Sequence, residues 1–267
     1  MGRDAAIVTV CTMLSRATGF VRVLATAAVL GSGLLGDVYQ TANMIPNLLF
    51  ELVALGVLQT VLLPSYVAAR RDGDDALRGA VSATSGVVVV VLGAVSLVGM
   101  AMSPLVARLM VAFEPSSAVV HDKLDVMVPM VLVFVPQLLF YGVATTASAA
   151  LNASGRFAAA ALAPALNNVV VIAACLLFRH ARDGAVADLH LSALEFCFIA
   201  IGTTLGVVVF GAWPWLAMRR AGVRAVPRWQ PDHPAVRLMR ANFGWATDRK
   251  STRLNSSHIT ISYAVFC

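Results

Sequence analysis

The sequence predicts an all-α integral membrane protein with six transmembrane helices and an incomplete seventh. Three observations carry that expectation. Charged residues make up 13% of the 267 and hydrophobic residues 59%, for a mean hydropathy of +0.80. A soluble domain carries about 25% charged residues, so the deficit points to lipid as the solvent. The apolar residues fall in runs close to the ~20 residues that cross a ~30 Å hydrocarbon layer. Finally, the arginines gather in short segments between those runs.

The first span is expected over 5–30. It is longer than a signal-peptide core, contains Arg16 and Arg22, and lacks a small-residue cleavage site, so it reads as a retained helix. The second, over 37–69, exceeds the length required. Pro46 and Pro64 are expected to kink it or mark its ends, because proline removes a backbone donor and clashes with the preceding turn. Further spans are expected over 80–102, 126–151, 158–178 and 191–218, and a seventh begins near His233.

This divides the chain into a six-helix transmembrane domain over 1–232, the start of the seventh helix over 233–247, and a tail over 248–267. The tail breaks the seventh span with charged and polar residues. It resembles translated vector or adapter sequence and is set aside from functional reasoning.

Orientation follows from the basic residues. One set of connections holds Arg70, Arg71, Arg78, Arg156, Arg219, Arg220, Arg224, Arg228, Arg237 and Arg240. The other holds Arg108, Lys123, Arg179 and Arg182. Such asymmetry places the first set, and the N-terminus with it, in the cytoplasm. Trp213 and Trp215 precede Arg219 and suit an aromatic belt at the inner interface. The net charge of +6 is thereby explained by topology, without a nucleic-acid partner.

No enzyme chemistry is legible. The chain has no metalloprotease helix, nucleophile elbow or Walker loop, and its four cysteines show neither metal-ligand nor disulfide spacing. No catalytic residue, metal or cofactor is therefore expected. Gly31-Ser-Gly33-Leu-Leu-Gly36 matches a dinucleotide fingerprint literally, but it joins two membrane spans and reads as an outer turn.

Charge within the first span is more informative. Counted from Ile7 at about 1.5 Å per residue, Arg16 lies roughly 13 Å and Arg22 roughly 22 Å along the helix. Arginine so placed costs several kcal/mol unless it meets a polar cavity or a partner, which makes it a functional candidate. Snorkelling or a structural ion pair accounts for Arg16 as well as a cavity does; Arg22 is too deep to snorkel easily. Asp37 opens the second span. It is placed either to partner Arg22 or to favour its own helix N-terminus. Gln40, Asn43, Asn47 and Glu51 follow at spacings of three and four and share one helical stripe. That stripe reads either as a cavity lining or as polar glue between helices. Asn167 and Asn168 read as glue.

Three motifs in order resemble the MurJ (MviN) family of lipid II flippases. The first is Ser15-Arg16-Ala-Thr-Gly19-Phe20-Val-Arg22. The second is Asp37-Val-Tyr-Gln-Thr-Ala-Asn-Met-Ile-Pro46-Asn47-Leu48-Leu49, with Gly56 and Pro64 after it. The third is Leu151-Asn152-Ala-Ser-Gly-Arg156-Phe157, followed by Ala163-Pro164-Ala-Leu-Asn167.

The resemblance implies a fourteen-helix fold of the multidrug/oligosaccharidyl-lipid/polysaccharide exporter superfamily, of which this chain supplies the first lobe. It also implies alternating-access movement of lipid II, an undecaprenyl diphosphate bearing a disaccharide-pentapeptide, across a bacterial plasma membrane. Arg16, Arg22 and Asp37 then match cavity positions, with Asn43, Asn47 and Glu51 beside them. The sequence departs from the family pattern at Phe50 and Glu51, where many relatives carry two arginines, and at Leu55, where an acidic residue is common. Expected partners are lipid II, bilayer lipids and cell-wall synthesis proteins. The alternatives are a drug or polysaccharide exporter of the same superfamily and a non-transporting membrane scaffold.

Overall fold

In lipid each backbone donor and acceptor must be satisfied within its own segment, and the membrane-length segments among the described residues meet that demand with helices. The computed structural model describes residues 2–31, 33–54, 58–112, 114, 116–183 and 188–241. In chain order the helices are α1 (Gly2–Leu30), α2 (Leu34–Ala54), α3 (Leu58–Arg71), α4 (Asp74–Ala101), α5 (Ser103–Met110), α6 (Ser117–Phe134), α7 (Gln137–Ala153), α8 (Phe157–Ala181), α9 (Ala193–Phe196) and α10 (Gly202–Arg220). A π-helical turn, Cys197–Ile201, joins α9 to α10. A last helical stretch covers 234–241, where the seventh span was expected to begin. Leu55, Gly56 and the tail over 248–267 lie outside the described residues.

Among the described residues, five stretches are long and apolar enough to cross a membrane: Ala6–Leu30, Asp74–Ala101, Val119–Ala153, Phe157–Ala181 and Ala193–Arg220. The sequence predicted six. The second expected span, 37–69, is carried by α2 and α3, and 55–57 between them lie outside the described residues, so it is not among these continuous stretches. Asp37, Gln40, Asn43, Asn47 and Glu51 place polar side chains along α2. Pro46 and Pro64 lie inside α2 and α3 rather than at their ends. The third apolar stretch bends at Val135–Pro136, between α6 and α7.

The bundle is organised around α7 and α8. Helix α10 packs on both, α4 and α3 on α7, α2 mainly on α6, and α1 along α8. One core lies toward the α1–α2 turn and includes Leu35, Tyr39, Met130, Phe134, Cys175, Phe178 and Ile199. The other lies toward the arginine-rich end, with Leu62, Tyr66, Leu77, Leu92, Leu138, Leu151 and Met218. Close approach comes from small residues, as lipid-immersed helices require. A Cβ on Gly202 would strike Ala174, and one on Gly206 would crowd Asn167 and Val171, so α10 lies against α8 where it has no side chains. The Gly31 turn is confirmed as a helix-to-helix connection, with Gly31 at φ +69°, a region that glycine enters without a Cβ penalty.

Candidate functional site

Helix α1 touches the bundle along one side only, and its exposed side carries Met13, Arg16, Phe20, Val23 and Leu24. Its inner side is fixed by Asn168, whose Nδ2 donates to the Ser15 carbonyl at 3.2 Å and to Thr18 Oγ1 at 3.3 Å. The reading of Asn168 as interhelical glue holds. Asn167 instead has its Oδ1 buried without a hydrogen-bond partner among the described residues, against α10.

Two turns above Ser15, Arg22 is half-buried, while Arg16 is exposed. Tyr39 of α2, Tyr141 of α7 and Cys175 of α8 lie within electrostatic range of Arg22. Among the described residues it forms no ion pair. The surrounding groups are held firmly. Tyr39 Oη lies 2.9 Å from Thr203 Oγ1, and Thr26 Oγ1 lies 3.9 Å from Cys175 Sγ. Tyr141 stands between Phe50 and Phe210, with ring centroids 5.5 and 6.0 Å away. Phe50, at one of the positions that departs from the resembled pattern, therefore completes an aromatic wall.

Asp37 does not partner Arg22. Its Oδ2 accepts a hydrogen bond from Lys123 Nζ at 2.8 Å, and the same ammonium donates to Glu114 Oε2 at 2.6 Å. Lys123 is 8% exposed in its side chain, so this clasp ties α6 to the start of α2 and to the loop before α6. Asp37 also occupies the first turn of α2, where a carboxylate opposes the positive end of the helix.

The stripe on α2 is only partly engaged. Asn43 is half-buried, whereas Gln40, Asn47 and Glu51 are exposed. Asn47 Nδ2 donates to the Asn43 carbonyl at 3.1 Å, within its own helix. A chain of interhelical bonds, the signature of glue, is thus not formed by Asn47. The structure separates the expected site residues into a guanidinium station (Arg22), an end clasp (Asp37) and an open polar edge (Asn43, Asn47, Glu51), with Arg16 further along the open side of α1. Two shallow depressions lie elsewhere, one of about 390 Å³ beside Arg108, His121 and Asp125, the other beside Arg179 and His180. Neither is lined by Arg22 or Asp37. Among the described residues, no group of His, Cys, Asp and Glu is placed to hold a metal.

Sequence reading missed Lys123, Tyr39 and Tyr141. Lys123 had a usable signal, as a lone ammonium at the head of an apolar stretch with no neighbouring carboxylate at helical spacing to pair it. The tyrosines had none, since an aromatic residue in an apolar run reads as core.

Membrane-length helices, one of them carrying a half-buried guanidinium beside a polar helix edge, define a polytopic membrane protein. The chain belongs to the MurJ family: the family model described as "Lipid II flippase MurJ" matches residues 26–266. Asp37, Asn43, Asn47 and Glu51 fall inside the match, and Arg16 and Arg22 precede it. The match also runs through most of the 248–267 tail set aside above. The chain is 29% identical over 224 residues to the "Probable lipid II flippase MurJ" of Haemophilus influenzae, covering 82% of this chain and 42% of that protein. It is 30% identical over 232 residues to the protein of the same description from Rhizobium tropici, covering 85% and 42%. To the "Lipid II flippase MurJ" of Burkholderia cenocepacia it is 33% identical over 168 residues, covering 62% and 32%. The chain thus spans about two fifths of the length of the first two relatives.

Proposed function

We propose that the chain is the first lobe of a lipid II flippase, in which Arg22 receives the diphosphate of the lipid-linked precursor. The observation that carries this reading is the position of Arg22. It lies deep in α1, half-buried beside Tyr39 and Tyr141, and is neutralised by no carboxylate among the described residues. A guanidinium donates in a planar fork and stays charged, which suits a diphosphate better than a point charge does. The open side of α1 and the polar edge of α2 would face a second lobe across a central cavity. The polyprenyl chain would remain in lipid while the two lobes rock about the bound head. The arginine-rich connections support a cytoplasmic N-terminus in a bacterial plasma membrane, and in that orientation transport would run from the inner to the outer leaflet. An inside-negative potential acts on cavity charge by about 2.3 kcal/mol per charge per 100 mV.

The test uses the complete transporter. Arg22→Ala is expected to insert normally yet to lose lipid II translocation in proteoliposomes and to fail to replace the host flippase, while Arg22→Lys retains a fraction of both. Wild-type translocation by Arg22→Ala would overturn the assignment. Export of a cationic drug with lipid II ignored would move the chain to the drug exporters.

A further inference from the structure

The segment that follows α10 is neither a free loop nor part of the helical bundle. From Val223 to Gln230 it runs extended along α4. The Val226 amide donates to Ser82 Oγ at 3.3 Å and the Arg228 amide to the Ser82 carbonyl at 2.9 Å. Gly86 admits it: a Cβ there would collide with the backbone of Arg228. Burial alternates over 223–226: Val223 and Ala225 are buried in the core shared with Leu77, Ala80 and Met218, while Arg224 and Val226 are exposed. From Val226 to Gln230 every residue is exposed, Arg228 among them, with Val226 56% and Trp229 57% exposed.

The depth of this strap follows from the length of α4. Its 28 residues reach about 42 Å at 1.5 Å per residue, some 12 Å more than a ~30 Å hydrocarbon layer. The far end of α4 is apolar through Val98, Met100 and Ala101, whereas the near end carries Asp74, Asp75 and Arg78. The surplus therefore belongs to the near end. Roughly eight residues project there, and the hydrocarbon boundary falls close to Ser82. The strap is pinned at that level.

Arg70 pairs with Asp74 and Arg78 with Asp75, which uses the nearby carboxylates of α4. Among the described residues, Arg219, Arg220, Arg224 and Arg228 form no ion pair. An indole and an isopropyl group beside exposed guanidiniums, at the level where lipid phosphates lie, match an anionic headgroup layer.

We propose that residues 223–230 form an interfacial strap that binds anionic phospholipid headgroups, with Trp229 and Val226 entering the acyl boundary and Arg224 and Arg228 holding the phosphates. This surface is separate from Arg22 and does not depend on lipid II.

The test follows the fluorescence of Trp229 in the full 267-residue chain carrying W213F, W215F and W245F, reconstituted in nanodiscs. Brominated phosphatidylglycerol is expected to quench Trp229 in preference to brominated phosphatidylcholine. R224Q and R228Q together should reduce that preference by about fivefold per arginine, from the ~1 kcal/mol each basic residue gains near an anionic surface. High salt should reduce the preference in the unsubstituted strap, a check that does not rely on a variant folding. Equal quenching by both lipids, or a preference that survives both R224Q/R228Q and high salt, would overturn the proposal. So would inorganic phosphate alone, in phosphatidylcholine discs, abolishing access of Trp229 to the bilayer.

Discussion

Lys123 Nζ and Asp37 Oδ2 lie 2.8 Å apart although 86 residues separate them in sequence, and the ammonium is almost wholly covered. Helices α2 and α6 are thereby locked at the end where α1 turns into α2. Arg22 is left free of the carboxylate that stands nearest to it in the sequence motif.

That clasp is expected to contribute measurably to stability. Lys123→Met should destabilise the purified protein in detergent by about 1 kcal/mol, read as a lower thermal midpoint, because a covered charge-assisted bond is worth more than an exposed one. In a double-mutant cycle Lys123→Met and Asp37→Asn should couple positively. Strict additivity would show that the pair contributes nothing.

Asn168 is expected to hold α1 to the bundle. Removing its two bonds with Asn168→Leu should cost about 1 kcal/mol, at about 0.6 kcal/mol for each interhelical hydrogen bond in a membrane. Because α1 packs chiefly on α8, the loss should appear as faster hydrogen exchange in 8–24, with α7 and α10 unaffected.

Gly86→Val should be far more damaging than Gly79→Val. The first collides with the Arg228 backbone, while a Cβ at Gly79 meets its nearest neighbour, the His233 ring, at 3.7 Å. Overpacking of this kind costs about 1–3 kcal/mol. Limited proteolysis should detect it as new cleavage within 223–230.

Acid should loosen the connection between α8 and α9. Arg182 donates to Asp188 at 2.7 Å and contacts Glu195 at 3.1 Å, and Ser192 and Glu195 cap α9 reciprocally. The hydrogen bond from Arg182 holds the Asp188 carboxyl below its usual range. A depressed carboxylate adds stability above its unfolded pKa of about 3.9 and loses it as pH falls through the lower folded value. Protection of this connection in hydrogen exchange should therefore fall below about pH 4. Asp188→Asn should remove that pH dependence. As Asp188 is exposed, the effect should be small and confined to this loop.

Most of the helices were legible because lipid leaves no alternative: a long apolar run must be a helix, and its ends are where charge resumes. The second span was harder to read, because its polar stripe and prolines do not fit a lone lipid-facing helix; α2 and α3 cover most of 37–69, and α2 packs mainly on α6. Arg22 was found because depth alone makes a guanidinium conspicuous. Its neighbours were not, since the meeting of Tyr39, Tyr141 and Cys175 depends on four helices and leaves no local pattern. Trp213, read as an interface anchor, also donates from Nε1 to the Ala159 carbonyl at 2.9 Å, a bond between α10 and α8 that has no local sequence signature.

The π turn at Cys197–Ile201 has a consequence for how the last long helix tolerates change. Such a turn is in effect one surplus residue carried inside a helix. Excising a single residue from it would restore ordinary winding, and because the wide turn already absorbs the surplus, Gly202, Gly206 and Gly211 would keep the neighbours they now abut. A one-residue deletion within Gly202–Arg220, where no surplus is carried, would instead rotate every position beyond it by roughly 100°. One-residue deletions should therefore be tolerated better within Cys197–Ile201 than further along α10.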